Sequence, residues 1–233
     1  AEYNGEFERA SRFAQECLQL ATELNAPRPL AYCKELFGLI AYAQSNLDEA
    51  RQLFEDAIEI FEKVGDRRNV ASARINLART LYRQGEYETA LQYVNDSLAI
   101  SRELNIGWTL GLGLEILGLL QRSRHQDAAA LSLFQESLRI SLDQDNQQGI
   151  ANCLGAIAGL AVMADQAGQA VILFSAAQKI RQAIGAAMGR GDQSEYDAYL
   201  ALARRQLSEE EFVSAWARGL ELTLDEAVEL ATR

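Results

Sequence analysis

The chain of 233 residues is poor in the residue types that carry most chemistry. It has one histidine, His125, so it cannot supply a two-histidine metal site, and a histidine-dependent triad has no second candidate. It has three cysteines, Cys17, Cys33 and Cys153, with no CxxC pair and an odd count, which argues against a disulfide framework. Two prolines, Pro27 and Pro29, are too few to break the chain into many short elements. Basic residues are outnumbered, 22 against 33 acidic, giving a formal net charge of −11 and no clustered Lys and Arg for a phosphate backbone. No GxxxxGK[ST] occurs. The longest apolar run, around 154–164, falls short of the ~20 residues a membrane span needs.

What the chain has in abundance is Ala, Leu, Gln and Glu, a composition that favours helix throughout. It also has a register. Stepping by forty residues links Ala10, Ala50, Ala90, Ala130 and Ala170, then Phe54, Val94, Phe134 and Phe174, then Ala57, Ser97, Ser137 and Ala177. The same step links Phe37, Leu77, Leu117 and Ile157, each followed by a small residue: Gly38, Ala78, Gly118, Ala158. This is an internal repeat, and repeats stack as a solenoid in which each unit touches its neighbours. Cys33 and Cys153 share a slot with Ala73, and Cys17 shares one with Ala57, Ser97 and Ser137. They read as buried small residues in a reducing, cytoplasmic setting.

The spacing predicts helix pairs at 29–44 with 47–63, 68–84 with 87–103, 108–123 with 127–143, and 147–164 with 167–184. GEFERA at 5–10 repeats GEYETA at 85–90, so Ala1–Asn4 read as the stump of a lost helix and 6–24 as the second helix of that pair. The chain, which has no initiator Met, would then begin inside a repeat, with an apolar stripe including Phe13, Leu18 and Leu20 open to self-association. The connection at 25–29, with its two prolines, separates 6–24 from the first full pair. The expected organisation is an array over 1–185 (partial repeat 1–24; repeats 29–63, 68–103, 108–143, 147–184) and a helical cap over 186–233. In the cap, AAMGRGDQ at 186–193 reads as a loop, followed by helices 193–206, 209–219 and 224–232. Ser208 to Glu211 and Thr223 to Glu226 have the spacing of capping boxes. Trp216 is expected to be buried on Phe174 or Ile180.

The pattern resembles the tetratricopeptide repeat: a small residue after Leu on the first helix, Gly at the turn, then Ala, an aromatic and Ala at spacings of four and three. LA at 77–78, Gly85, Ala90, Val94 and Ser97 carry it, and so do FG at 37–38, Ala50, Phe54 and Ala57. The departures are a period of forty rather than ~34, and Ser45, His125 and Asp165 in the place of the turn Gly. HEAT-like repeats share a period of ~40 but lack this Ala-aromatic-Ala spacing. The tail, with Phe212, Ala215-Trp216, Gly219, Leu222-Thr223 and Glu226-Ala227-Val228, is similar to the C-terminal end of large bacterial signal-transduction ATPases and LuxR-type regulators.

The resemblance implies an all-α fold, a right-handed superhelical solenoid of antiparallel helix pairs with a helical cap. It implies a non-catalytic protein- or peptide-binding module without cofactor or metal, the sensor or scaffold arm of a multidomain transcriptional or signalling regulator. A free-standing adaptor is the alternative, and an enzyme built on a helical array the more distant one. It also implies that the first helices line the partner-binding groove. Helical spacing puts Tyr42, Asn76, Arg79, Tyr82, Arg83 and Arg122 there, along with Glu35, Ile75, Glu115 and the bare backbone at Gly155 and Gly159. The chemistry of three arginines and two tyrosines suits an acidic or phosphorylated peptide. Neither nucleic acid nor membrane is an expected partner. A homodimer through the incomplete first repeat is.

Overall fold

The computed structural model describes residue 12 and residues 15–232. The expectations for 1–4, for the start of helix 6–24 and for Phe13 lie outside these residues. Every described element is a helix. α1 covers 15–23. Then come α2 (Pro27–Ala43), α3 (Leu47–Lys63), α4 (Arg67–Gln84), α5 (Tyr87–Glu103), α6 (Gly107–Ser123), α7 (Asp127–Asp143), α8 (Gln147–Met163) and α9 (Ala167–Ala183). The tail forms α10 (Arg190–Gln206), α11 (Glu209–Glu221) and α12 (Leu224–Thr232). The expected pairs are there to within two residues at each end. One shift has a plain cause: Pro27 occupies the first turn of α2, where its missing N–H costs nothing, so the connection is shorter than the prolines suggested. Likewise Arg190-Gly-Asp192 opens α10 rather than lying in a loop.

The turns explain the period. Positive φ recurs at every twentieth residue: Asn25, Ser45, Gly65, Gly85, Asn105, His125, Asp145, Asp165 and Gly185. At each, the chain closes with the same pair of bonds. The Ser45 N–H donates to the Tyr42 carbonyl at 2.9 Å and the Asn46 N–H to the Ala41 carbonyl at 2.8 Å. Gly85 and Glu86 do the same to Tyr82 and Leu81 at 3.0 and 2.9 Å. This is the Schellman closure, which satisfies carbonyls a helix end would otherwise orphan. A helix of seventeen residues plus a three-residue turn gives twenty, and a pair of them gives the repeat.

Within each pair the apolar slots interlock by size. A Cβ added to Gly38 would stand 2.6 Å from Cε1 of Phe54, and one added to Gly118 2.5 Å from Cε1 of Phe134. Where the first helix carries Ala78 instead, the facing slot holds the shorter Val94. Phe54, Phe134, Val94 and the flanking Ala50, Ala90 and Ala130 are fully buried. A buried phenylalanine contributes roughly 1.5–3 kcal/mol of apolar transfer, so these slots are the main fasteners of each pair.

Contacts divide the chain into two compact units, Ala1–Thr109 and Leu110–Arg233, the division falling in the first turn of α6. The tail helices belong to the second unit. There α11 lies along α9, α10 against α8 and α9, and α12 against α8 and α9. Both capping boxes form: the Glu211 N–H donates to Ser208 Oγ at 3.2 Å while the Ser208 N–H donates to Glu211 Oε2 at 2.8 Å, and Thr223 with Glu226 repeats the arrangement. Ser175 Oγ donates to the Trp216 carbonyl at 2.7 Å and Lys179 Nζ to the Leu222 carbonyl at 3.0 Å. Trp216 itself is half-buried, stacked on Phe212 at 6.0 Å, and it is Phe212 that is buried. The ring of Phe174 meets Tyr196 of α10 instead, edge-on at 4.9 Å.

Candidate partner-binding site

In the first unit the expected groove residues fall on α2 and α4. Arg79, Tyr82 and Arg83 share a face of α4 by their spacing of three and four. The Arg79 guanidinium carbon sits 4.3 Å from the centroid of the Tyr42 ring, a cation–π stack between α4 and α2. Tyr42 is thereby buried, while Arg79 stays half-buried. No ion pair of Arg79 occurs among the described residues, and its Nε is buried with no hydrogen-bond partner. Tyr82 and Arg83 are half-buried, and the Tyr82 ring lies 5.6 Å from that of Tyr87. Asn76 is 2% exposed and donates through Nδ2 to Glu35 Oε1 at 3.0 Å; Ser72 Oγ donates to the same oxygen at 2.7 Å. Burial raises the Glu35 carboxyl from its ordinary value, and these two bonds offset part of the effect. Asn76 and Glu35 therefore work beneath the surface, positioning α2 against α4. Ile75, expected on the groove, is fully buried.

In the second unit Arg122 is held by the tail. It forms an ion pair with Glu195 of α10 and lies 5.3 Å over the Tyr199 ring, its side chain 11% exposed. The bare backbone expected at Gly155 and Gly159 is covered. A Cβ at Gly159 would stand 3.3 Å from Cε2 of Tyr199 and 3.4 Å from Nη1 of Arg122; one at Gly155 would stand 3.5 Å from Nη2 of Arg181. Small residues here admit large side chains from α9 and α10 rather than a second chain.

Arg181 is the residue that sequence reasoning passed over. It is 8% exposed, donates through Nη2 to the Ala151 carbonyl at 3.0 Å, and leaves Nε and Nη1 buried without hydrogen-bond partners. Burial lowers its guanidinium from the ordinary value, opposed by Tyr196, Glu115 and Asp192. The Tyr196 hydroxyl is pushed up to about 12 by its own burial. The signal was available: Arg181 stands in the slot of Phe61, Ser101 and Ser141, all buried, so the register placed a cation in the core.

Elsewhere the second unit opens an apolar cleft of about 540 Å³ between α10 and α11, with Phe212 and Trp216 in its wall. His125 is exposed on its turn. Among the described residues no group of His, Cys, Asp and Glu could hold a metal ion, and no helix is long and apolar enough to cross a membrane.

Comparison with known proteins agrees with this architecture. Curated proteins of Mycobacterium bovis and Mycobacterium tuberculosis that carry the name HTH-type transcriptional regulator are 24% identical over 225 residues. The match covers 96% of this chain but 25% of theirs, so the chain spans about a quarter of the length of these relatives. The crystal structure of BtubC from P. vanneervenii superposes with a TM-score of 0.54 at 22% identity, over 88% of this chain and 74% of that one, a likeness of fold. Residues 30–103 match the family model of the tetratricopeptide repeat. The chain therefore carries tetratricopeptide repeats, placed by that match on the helix pairs α2–α3 and α4–α5.

Proposed function

We propose that the chain is a protein-binding arm of a multidomain regulator of transcription or signalling, and that it takes an acidic or phosphorylated peptide on the α2–α4 face of its first unit. Tetratricopeptide repeats generally mediate protein–protein interactions. The relatives' names and fourfold greater length support the regulatory setting, and with it a cytoplasmic one. The observation that carries the peptide class is Arg79. Its guanidinium is pre-ordered by Tyr42 and has no ion pair among the described residues, on a chain whose net charge is −11. An arginine held in this way keeps bidentate donors for a carboxylate or phosphate, with less rotamer freedom to lose on binding. Tyr82 and Arg83 extend the same face by one helical turn. Arg122, in the second unit and tied to Glu195, is a positioning residue for α10 in this reading.

Titrating a fluorescent glutamate-rich peptide, in plain and phosphoserine forms, into the protein tests the reading. Saturable anisotropy that weakens with added salt supports it. Equal affinity for a lysine-rich control would refute the peptide class.

A further inference from the structure

The helix that follows the array does not continue it. A step of forty from Gly38, Ala78, Gly118 and Ala158 arrives at Ala198 of α10. The four earlier residues are buried in their pairs, but Ala198 is exposed. So is Asp197, in the slot where Leu77 and Ile157 are buried. α10 is therefore not the next first helix of the stack, and the long packing against α9 is made by α11 instead. α10 reaches back to the face of the first helices α6 and α8. Glu195 and Tyr199, four residues apart on one face, make the ion pair and the cation–π contact with Arg122 of α6. Tyr199 also covers Gly159 of α8, where a Cβ would stand 3.3 Å from its ring.

The rest of the attachment is thin. Tyr196 and Ala203 are the buried residues of α10. The Tyr196 hydroxyl donates to Gln178 Oε1 at 3.3 Å, and Gln206 Nε2 donates to the Val162 carbonyl at 3.3 Å. The other side of the helix opens on the cleft of about 540 Å³, crossed by Arg204 stacked on Phe212 at 4.3 Å. The helix is entered and left through extended residues, Gly189 at φ −61, ψ 156 and Leu207 at φ −121, ψ 153. We propose that α10 is an internal ligand of the α6–α8 face, exchangeable for a partner helix that carries a carboxylate and an aromatic ring four residues apart, as Glu195 and Tyr199 are. The partner class is the acidic one proposed above, on which this rests, but the site is a second one, covered by the chain itself. The Arg122 guanidinium takes the carboxylate in its fork and the ring on its face, and Gly159 leaves room for that ring. A tethered helix competes at an effective concentration on the order of millimolar, so a free partner binds weakly until α10 is loosened.

A fluorescent peptide of the α10 sequence, residues 190–206, titrated into the full chain tests this. Glu195→Lys sets a second cation against Arg122 and loosens the resident helix. The expected result is that this variant binds the peptide about tenfold more tightly than the parent does. Hydrogen exchange should quicken over 190–206 and stay parent-like over α8, α9 and α11. Adding Arg122→Glu restores the pair with its charges exchanged, so the resident helix reseats and the gain in peptide affinity is lost. Arg79→Glu/Arg83→Glu leaves binding of the α10 peptide unchanged, which tells failure of the α2–α4 site apart from failure of this one. Equal affinity of parent and Glu195→Lys for the peptide, no binding to either, or loss of protection spreading from α10 through α8 and α9 would overturn the proposal and make α10 a fixed part of the second unit.

Discussion

A Cβ added to Gly219 would stand 2.3 Å from the carbonyl oxygen of Ile172. The tail helix α11 thus rests directly on the main chain of α9, and Phe212, two turns earlier on the same face of α11, is buried in the core of the second unit. Backbone cannot swing aside as a side chain can.

Gly219→Ala should therefore push α11 off α9. The expected loss is about 1–3 kcal/mol, the usual range for overpacking a close contact. It should appear as a lower melting temperature and as dye binding to the newly exposed apolar surface. An unchanged melt would mean that α11 is a separate docking element and contributes nothing to the second unit.

The twenty-residue series of left-handed turns makes a paired prediction. Gly85 has φ +82 and open space around the missing Cβ, so Gly85→Ala meets backbone strain alone and should cost about 1–2 kcal/mol. His125 has φ 57 at the corresponding turn of the next repeat, so His125→Gly should stabilise by up to about 1 kcal/mol. Denaturant midpoints of the two variants should move in opposite directions.

Glu35 supplies a pH signature. Its carboxyl is raised in the fold by burial, so the native state binds its proton more readily than the unfolded state does. Stability from this group is then greatest in acid and falls as pH rises from the unfolded value through the raised folded one. Glu35→Gln keeps an oxygen for Ser72 and Asn76 and removes the charge. It should be more stable than the parent at neutral pH, and the difference should vanish toward pH ~4, where an ordinary glutamate protonates. A constant difference across pH would mean that Glu35 does not titrate with folding.

The repeat itself was legible because its slots alternate small and large residues at a fixed step, and a step survives the loss of any single signature residue. Gly38 facing Phe54 and Ala78 facing Val94 are the same rule with different volumes. The caps were half legible: Gly65 and Gly85 announce a left-handed turn, while Ser45 and His125 reveal one only through the register. What escaped were contacts made from outside the period. Tyr199 and Glu195 lie on α10, beyond the last repeat, and nothing in a forty-residue step indicates that they close over Gly159 and hold Arg122. The buried cation of Arg181 was visible as a break in its slot; its pairing with the Ala151 main chain was not. Ile75 was assigned to the groove by helical spacing, yet α4 packs on both sides and buries it.

If Arg79, with Arg83 beside it, receives an acidic peptide as proposed, reversing both charges removes the site. The most direct measurement is the anisotropy titration of the glutamate-rich or phosphoserine peptide against Arg79→Glu/Arg83→Glu, with helicity followed by circular dichroism. Truncation of a hot-spot arginine costs about 2 kcal/mol or more, and each 1.4 kcal/mol is tenfold in affinity. An acidic-peptide site at Arg79 requires that the double variant keep the parent's helical spectrum and bind more than about tenfold more weakly. Parent-like affinity in a fully helical double variant would contradict it.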